Sequence, residues 1–196
     1  MSKILYVKAN PKDEESSFTF KVSEPFIRKY QEEHPDDEVE ILDLYQTDID
    51  FLRADDLIAM MAGGSEKMNK YANQFVNADK VVIAAPMWNL SIPAILKAYI
   101  DYIMVAGITF KYGEQGPEGL TKEGMKVLHI TARGGAYTEA PMDAMEMGDK
   151  YVRLAMGFMG ITDVETIAIE KIMMGDSGAD ELAVAKEKAE NLAKSW

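Results

Sequence analysis

The residues able to do chemistry fall in three short segments. The first, Ala9-Asn-Pro-Lys-Asp-Glu-Glu-Ser-Ser-Phe-Thr19, sets the Asn10 amide and the Ser17 and Thr19 hydroxyls around the start of a helical pattern. Hydroxyls and the free N–H groups of a helix N-terminus can together hold a phosphate dianion without Lys or Arg. Plain capping of the helix by Ser17 accounts for the same residues. The second segment, Pro86-Met-Trp-Asn-Leu-Ser-Ile-Pro93, combines a flat apolar face, an amide and backbone donors. A planar heteroaromatic ligand uses that set at its face and edge; the alternative is that Met87 and Trp88 only close the core. The third, Thr131-Ala-Arg-Gly-Gly-Ala136, has two glycines where backbone can approach a ligand closely, or where a strand simply turns.

Other chemistries are removed by what the chain lacks. It has no cysteine, which excludes disulfides, thiolate catalysis, iron–sulfur clusters and Cys-ligated zinc. Neither His34 nor His129 has a partner histidine at metal-ligand spacing, so both read as structural. No G-x-G-x-x-G, Walker loop or G-x-S-x-G is present. The balance of 21 Lys+Arg against 33 Asp+Glu gives a net charge of −12, which disfavours nucleic acid and anionic membrane surfaces as partners. The longest apolar run, Val81–Trp88, is far below the roughly 20 residues of a membrane span. With no signal-peptide core at its start, the chain is expected to be soluble and cytoplasmic.

The elements that must position these loops are legible as alternating strands and helices. Ile4–Val7, Val39–Leu44, Lys80–Ala85, Met125–Thr131 and Val164–Ile169 read as five strands. The third is apolar at five consecutive positions, as for a strand buried on both faces of a parallel sheet. Helical patterns follow the first loop up to about Tyr30, with a kink or break expected at Pro25. Another follows Ser91 as N-cap, a third starts at Pro141, and the last opens at a Ser177-Gly-Ala-Asp180 capping box. The segment Tyr45–Asn77 has room for a helix or two and a mobile loop at Gly63-Gly64. Composition and length fit one domain over residues 1–196. The pattern predicts a three-layer α/β, flavodoxin-like fold with a five-stranded parallel sheet in order 2-1-3-4-5. Ligands in such sheets bind beyond the carboxyl ends of the strands, near the switch point between strands one and three. All three loops lie at that end.

Several blocks, in order along the chain, resemble the bacterial FMN-dependent NADH-azoreductase family, flavodoxin-like NADH:quinone reductases. They are Ser2-Lys-Ile-Leu-Tyr-Val-Lys8, Ser17-x-Thr19, Ala85-Pro-Met-Trp-Asn-Leu-Ser-Ile-Pro93, Gly107-Ile-Thr-Phe-Lys-Tyr112, Gly116-Pro-Glu-Gly-Leu120, Ala132-Arg-Gly-Gly135 and Gly157-Phe-Met-Gly-Ile-Thr-Asp-Val164. The resemblance implies that Ser17, Phe18 and Thr19, with Asn10, hold the FMN phosphate. It implies that Met87, Trp88, Asn89 and Leu90 lie along the isoalloxazine ring, and Ala132, Arg133, Gly134 and Gly135 near its pyrimidine edge. Asn10 and Thr19 stand where the family often has serine, and both still carry a donor.

The resemblance further implies NADH as electron donor, a quinone or azo compound as acceptor, and a ping-pong order in which the two use the same space. Azo cleavage would yield aromatic amines. Chemistry on the cofactor leaves no obligatory catalytic side chain; Asn89 would support the reduced ring, and Arg133 a nearby phosphate. The family is homodimeric, and Phe110 and Tyr112 match the segment that reaches into the partner's site, with local packing as the alternative. A flavodoxin-type electron carrier, binding FMN without oxidising NADH, is the rival reading; the acidic charge suits docking on basic partners. A receiver-type phosphorylation domain shares the topology but needs acidic residues that Asn10 and Pro86–Asn89 do not supply.

Overall fold

A computed structural model describes all residues, 1–196. In chain order it forms β1 (Lys3–Lys8), α1 (Phe20–Glu33), β2 (Glu38–Asp43), α2 (Ala54–Met61), α3 (Glu66–Asn77), β3 (Lys80–Ala84) and α4 (Ala94–Ile103). There follow β4 (Phe110–Gly113), β5 (Gly116–Gly119), β6 (Lys126–Ala132), α5 (Gly148–Phe158), β7 (Asp163–Ile169) and α6 (Asp176–Ala193). Five strands pair in parallel in the order β2-β1-β3-β6-β7, which is the expected 2-1-3-4-5 arrangement with the β4–β5 hairpin inserted. The fold is flavodoxin-like.

Alternation along the strands divides the core between two faces. Leu5, Val7, Val81, Ile83 and Val127 pack under α3, α4 and α5. Ile4, Tyr6, Val82, Ala84, Leu128 and Ile130 face α1 and α6. Both faces of the central strands are therefore covered, which is why they read as unbroken apolar runs. The edge strand β2 leaves Glu38, Glu40 and Ile41 exposed, and its acidic side chains discourage further strand pairing.

Several local expectations need correction. Pro25 lies inside α1 without dividing it, and Phe20, Val22, Phe26, Ile27 and Tyr30 hold the helix in the core on both sides of it along the chain. Pro93, not Ser91, is the N-cap of α4, and Ser91 pairs instead with Trp88 across a tight turn. After Pro141 there is one 3-10 turn, Met142–Met145, before α5 begins at Gly148. The last helix is capped by Gly175, so Ser177 sits within its first turn.

The β4–β5 hairpin was not foreseen. Lys111 stands opposite Glu118 and pairs with it at 2.9 Å, while Phe110 meets Phe158 with ring centroids 4.8 Å apart. A Cβ on Gly119 would lie 2.2 Å from the Met159 carbonyl oxygen, so only glycine permits this seating of β5. Between β2 and β3 the chain forms α2 and α3, joined at Gly63 and Gly64 with φ of +98° and +91°. Helix α2 buries none of its residues and exposes Leu57, Ile58 and Met61.

Candidate functional site

At the carboxyl ends of β1, β3 and β6 the three chemically equipped loops meet. Asn10, Lys12, Ser16, Ser17, Phe18, Thr19, Pro86, Trp88, Ala132 and Ile172 line one cleft of about 70 Å³. Within the first loop, the Asn10 side-chain amide donates to Ser17 Oγ at 2.9 Å, and Ser17 Oγ accepts from the Phe20 N–H at 3.1 Å. Ser17 therefore does take the capping role, one turn ahead of the helix proper. Thr19 does not. It is the N-cap residue, fully buried, yet its Oγ1 has no hydrogen-bond partner and makes no capping bond. Nor do the N–H groups of Phe18 and Thr19 reach a backbone carbonyl. A buried hydroxyl and two amide donors are thus left unpaired at the start of a 14-residue helix, a donor set of the kind that can receive an anion.

The second loop leaves β3 through Pro86 and is tied to the third at its base, where Met87 N–H donates to the Ala132 carbonyl at 2.9 Å. Trp88 N–H and the Ser91 carbonyl, and the reverse pair, close a two-residue turn at 2.9 and 3.1 Å. Both central residues are left-handed, Asn89 at φ +49° and Leu90 at +73°. This is the type I′ pattern, ordinary for asparagine but strained for leucine. The Leu90 carbonyl is held by Met147 N–H at 2.9 Å. Trp88, 39% exposed, also walls a second, larger cleft of about 540 Å³ that continues over Asn89, Ile92, Pro93, Lys97 and Tyr151.

The third loop corrects one expectation. The Arg133 side chain, 3% exposed, turns into the protein rather than toward an external phosphate. Its guanidinium pairs with Glu170 at 3.3 Å and Glu146 at 3.4 Å. Two facing carboxylates inside the fold demand a counter-charge, and this is what directs the arginine inward. Glu170 also accepts from Tyr137 N–H at 2.8 Å and Thr138 Oγ1 at 2.6 Å, and Glu146 accepts from the N–H groups of Gly148 and Asp149 at 3.0 and 2.8 Å. Gly134 and Gly135 present backbone, the first bordered by Met173 and the second by Tyr137.

Behind this loop, the His129 imidazole meets Asp149 at 2.8 Å, and Thr166 Oγ1 and Arg153 Nε donate to the same carboxylate at 2.6 and 2.7 Å. Burial alone would raise the Asp149 pKa; the His129, Thr166 and Arg153 contacts outweigh it and hold the carboxyl far below the usual range. The histidine thus braces α5 against β6 and β7.

Comparison with known proteins decides the lineage. Residues 2–193 match a family model described as a flavodoxin-like fold. The chain belongs to the flavodoxin-like fold family. Among its relatives, an FMN-dependent NADH:quinone oxidoreductase of Clostridium perfringens is 52% identical, with the whole of both chains covered. Another of that name, from Lachnoclostridium phytofermentans, is 53% identical over the same full coverage. The chain resembles the crystal structure of an azoreductase from Bacillus anthracis with a TM-score of 0.93, 39% identity and both chains fully covered. It resembles an FMN-dependent NADH-azoreductase of that organism, solved in complex with FMN, with a TM-score of 0.87 and 31% identity over 98% of this chain and 100% of the other.

For a flavodoxin-like chain the hairpin is an addition, and its two aromatics part company. Phe110 is buried against Phe158 of its own chain, a packing role. Tyr112 is 77% exposed, and neither aromatic lines the two clefts described above. Lys12 and Ile172 reach the smaller cleft without having been singled out from the sequence. Lys12 was the legible one, lying within the first loop; Ile172 follows β7, and only the sheet order brings it across.

Proposed function

We propose that this protein binds FMN with its phosphate in the cleft formed by the three loops, oxidises NADH, and passes the electrons to quinones or azo compounds. The observation that supports this reading is the unpartnered Thr19 hydroxyl beside the free Phe18 and Thr19 amides at the switch point of the sheet. A phosphate monoester satisfies all three donors at once. Full-length relatives at 52% and 53% identity that are named FMN-dependent NADH:quinone oxidoreductases support the assignment of the reaction.

When bound, FMN supplies the hydride chemistry and the protein supplies position and electrostatics. Ser17, fixed by Asn10 and the Phe20 amide, and Thr19 hold the phosphate, and Lys12 adds a positive charge at the same mouth. Trp88 and Met87 would lie along one side of the ring. The left-handed turn at Asn89 and Leu90 would offer its amide groups to the ring edge and so stabilise negative charge there. Ala132, Gly134 and Gly135 let the opposite loop approach the pyrimidine edge. NADH and the acceptor would use in turn the space beside Trp88 and the wider cleft that runs to Tyr151.

The active unit in this reading is a homodimer in which Tyr112, exposed on the hairpin, contacts the partner's acceptor site. No helix is long and apolar enough to cross a membrane. The test is steady-state NADH oxidation by the FMN-loaded protein with a benzoquinone and with an azo dye. Parallel double-reciprocal lines are expected from the alternating use of one site; intersecting lines overturn the alternation, and no acceptor-dependent oxidation overturns the function.

A further inference from the structure

Arg133 contributes its backbone to one loop of the cleft and its side chain to something else. The guanidinium lies 3.3 Å from Glu170 and 3.4 Å from Glu146, and all three side chains are nearly or fully enclosed, at 3%, 8% and 7% exposure. Neither carboxylate is a mere packing partner. Glu170 spends its remaining acceptor capacity on Tyr137 N–H and Thr138 Oγ1, the continuation of the Arg133 loop. Glu146 spends its own on the first N–H groups of α5, at Gly148 and Asp149. Met147, between Glu146 and Gly148, holds the Leu90 carbonyl at 2.9 Å. The path therefore runs from the third loop, through a buried guanidinium, to the residue that braces the strained turn of the second. At their bases these loops are joined by the Met87–Ala132 bond, one rung beyond the Ala85 N–H to Ile130 carbonyl bond at 3.0 Å.

We propose that Arg133 is a positioning residue: by bridging Glu146 and Glu170 it sets the distance between the two loops that flank the flavin ring. The inference rests on the FMN reading of the cleft. Without the guanidinium, two enclosed carboxylates face one another with no counter-charge, and they relieve this by drawing apart or admitting water. Movement of Glu146 carries Met147 with it and releases Leu90. Lysine restores the charge but not the two-pronged reach, so it can serve only one carboxylate well.

The experiment uses the full chain, wild type and Arg133→Met and Arg133→Lys, with and without FMN. Amide hydrogen exchange is read at Met147 and Tyr137, and FMN affinity by quenching of flavin fluorescence. In Arg133→Met, exchange at both amides accelerates about tenfold or more while β1 amides keep their protection, and the FMN dissociation constant rises about tenfold; lysine falls between. Acceleration spread evenly over β1 and the loops, with FMN affinity unchanged, makes Arg133 an ordinary core residue and overturns the proposal. So does no change in either readout. If Arg133→Met does not fold, Glu146→Gln gives the same test, with Met147 exchange as its marker. Should the wild type fail to bind FMN while Met147 and Tyr137 still respond to Arg133→Met, the bridge stands and the cofactor reading falls.

Discussion

Thr19 Oγ1 is enclosed at the N-terminus of α1 with nothing to bond to, so Thr19→Val acts in opposite directions on folding and on cofactor binding. Valine has the same shape and removes an unsatisfied polar atom, which relieves the free protein of about 1 kcal/mol. For a chain of 196 residues that raises the melting temperature by about 2–4 °C in the absence of FMN. No helix cap is lost, because Thr19 makes no capping bond. With FMN the sign reverses. A hydrogen bond to a charged phosphate is worth about 1.5–3 kcal/mol, so the dissociation constant rises roughly tenfold to a hundredfold. The assay pairs calorimetric melts with fluorescence titration, and the two curves must cross: the variant melts higher without FMN and lower once FMN is about a hundredfold or more above the wild-type dissociation constant. A variant that binds FMN as tightly as the wild type refutes the assignment of the hydroxyl to the phosphate. Ser17→Ala is the control, since it breaks existing bonds to Asn10 and Phe20 and lowers stability with or without FMN.

Three further outcomes follow from the same geometry. Asp149→Asn costs about 3 kcal/mol at neutral pH by leaving His129 and Arg153 without their carboxylate. Because that carboxyl is held low, its stabilisation is present above its unfolded pKa and is lost as pH falls, so the gap between wild type and variant in urea melts narrows from about pH 5 to about pH 2; a gap independent of pH contradicts the network. At Leu90, with φ +73°, Leu90→Val lowers stability by about 1 kcal/mol or more, whereas Leu90→Gly stays within about 1 kcal/mol of wild type because relief of strain offsets added chain freedom; chemical denaturation separates them. Gly119→Ala forces a methyl group against the Met159 carbonyl and destabilises by at least about 2 kcal/mol, read as a lower melting temperature; an unchanged one means that β5 can lift away freely.

The sheet was legible because buried parallel strands announce themselves: Lys80–Ala84 is apolar at every position after its lysine, and Lys126–Ala132 is interrupted only by His129 and Thr131. The first two loops were legible because Ser17, Thr19 and Asn89 lie in the segments that follow strands which the crossover rule sends to one end of the sheet. What escaped depended on partners remote in sequence. Arg133 reads as a cation for a nearby phosphate until Glu146 and Glu170 are placed beside it, 13 and 37 residues away. The hairpin strand Gly116–Gly119 holds two glycines and a proline, a composition of low strand propensity, and is fixed by contact with α5 rather than by its own preference. Ser177 looked like a cap, yet Gly175 takes that place with φ +63°, a conformation glycine adopts without cost.

The most direct test is an anaerobic visible-absorbance record of the FMN-loaded protein mixed with NADH and no acceptor. The flavin band should bleach promptly, and recover when a quinone is added. A band that persists in the presence of NADH, on protein shown to hold FMN, would contradict direct hydride transfer and leave an electron carrier in its place.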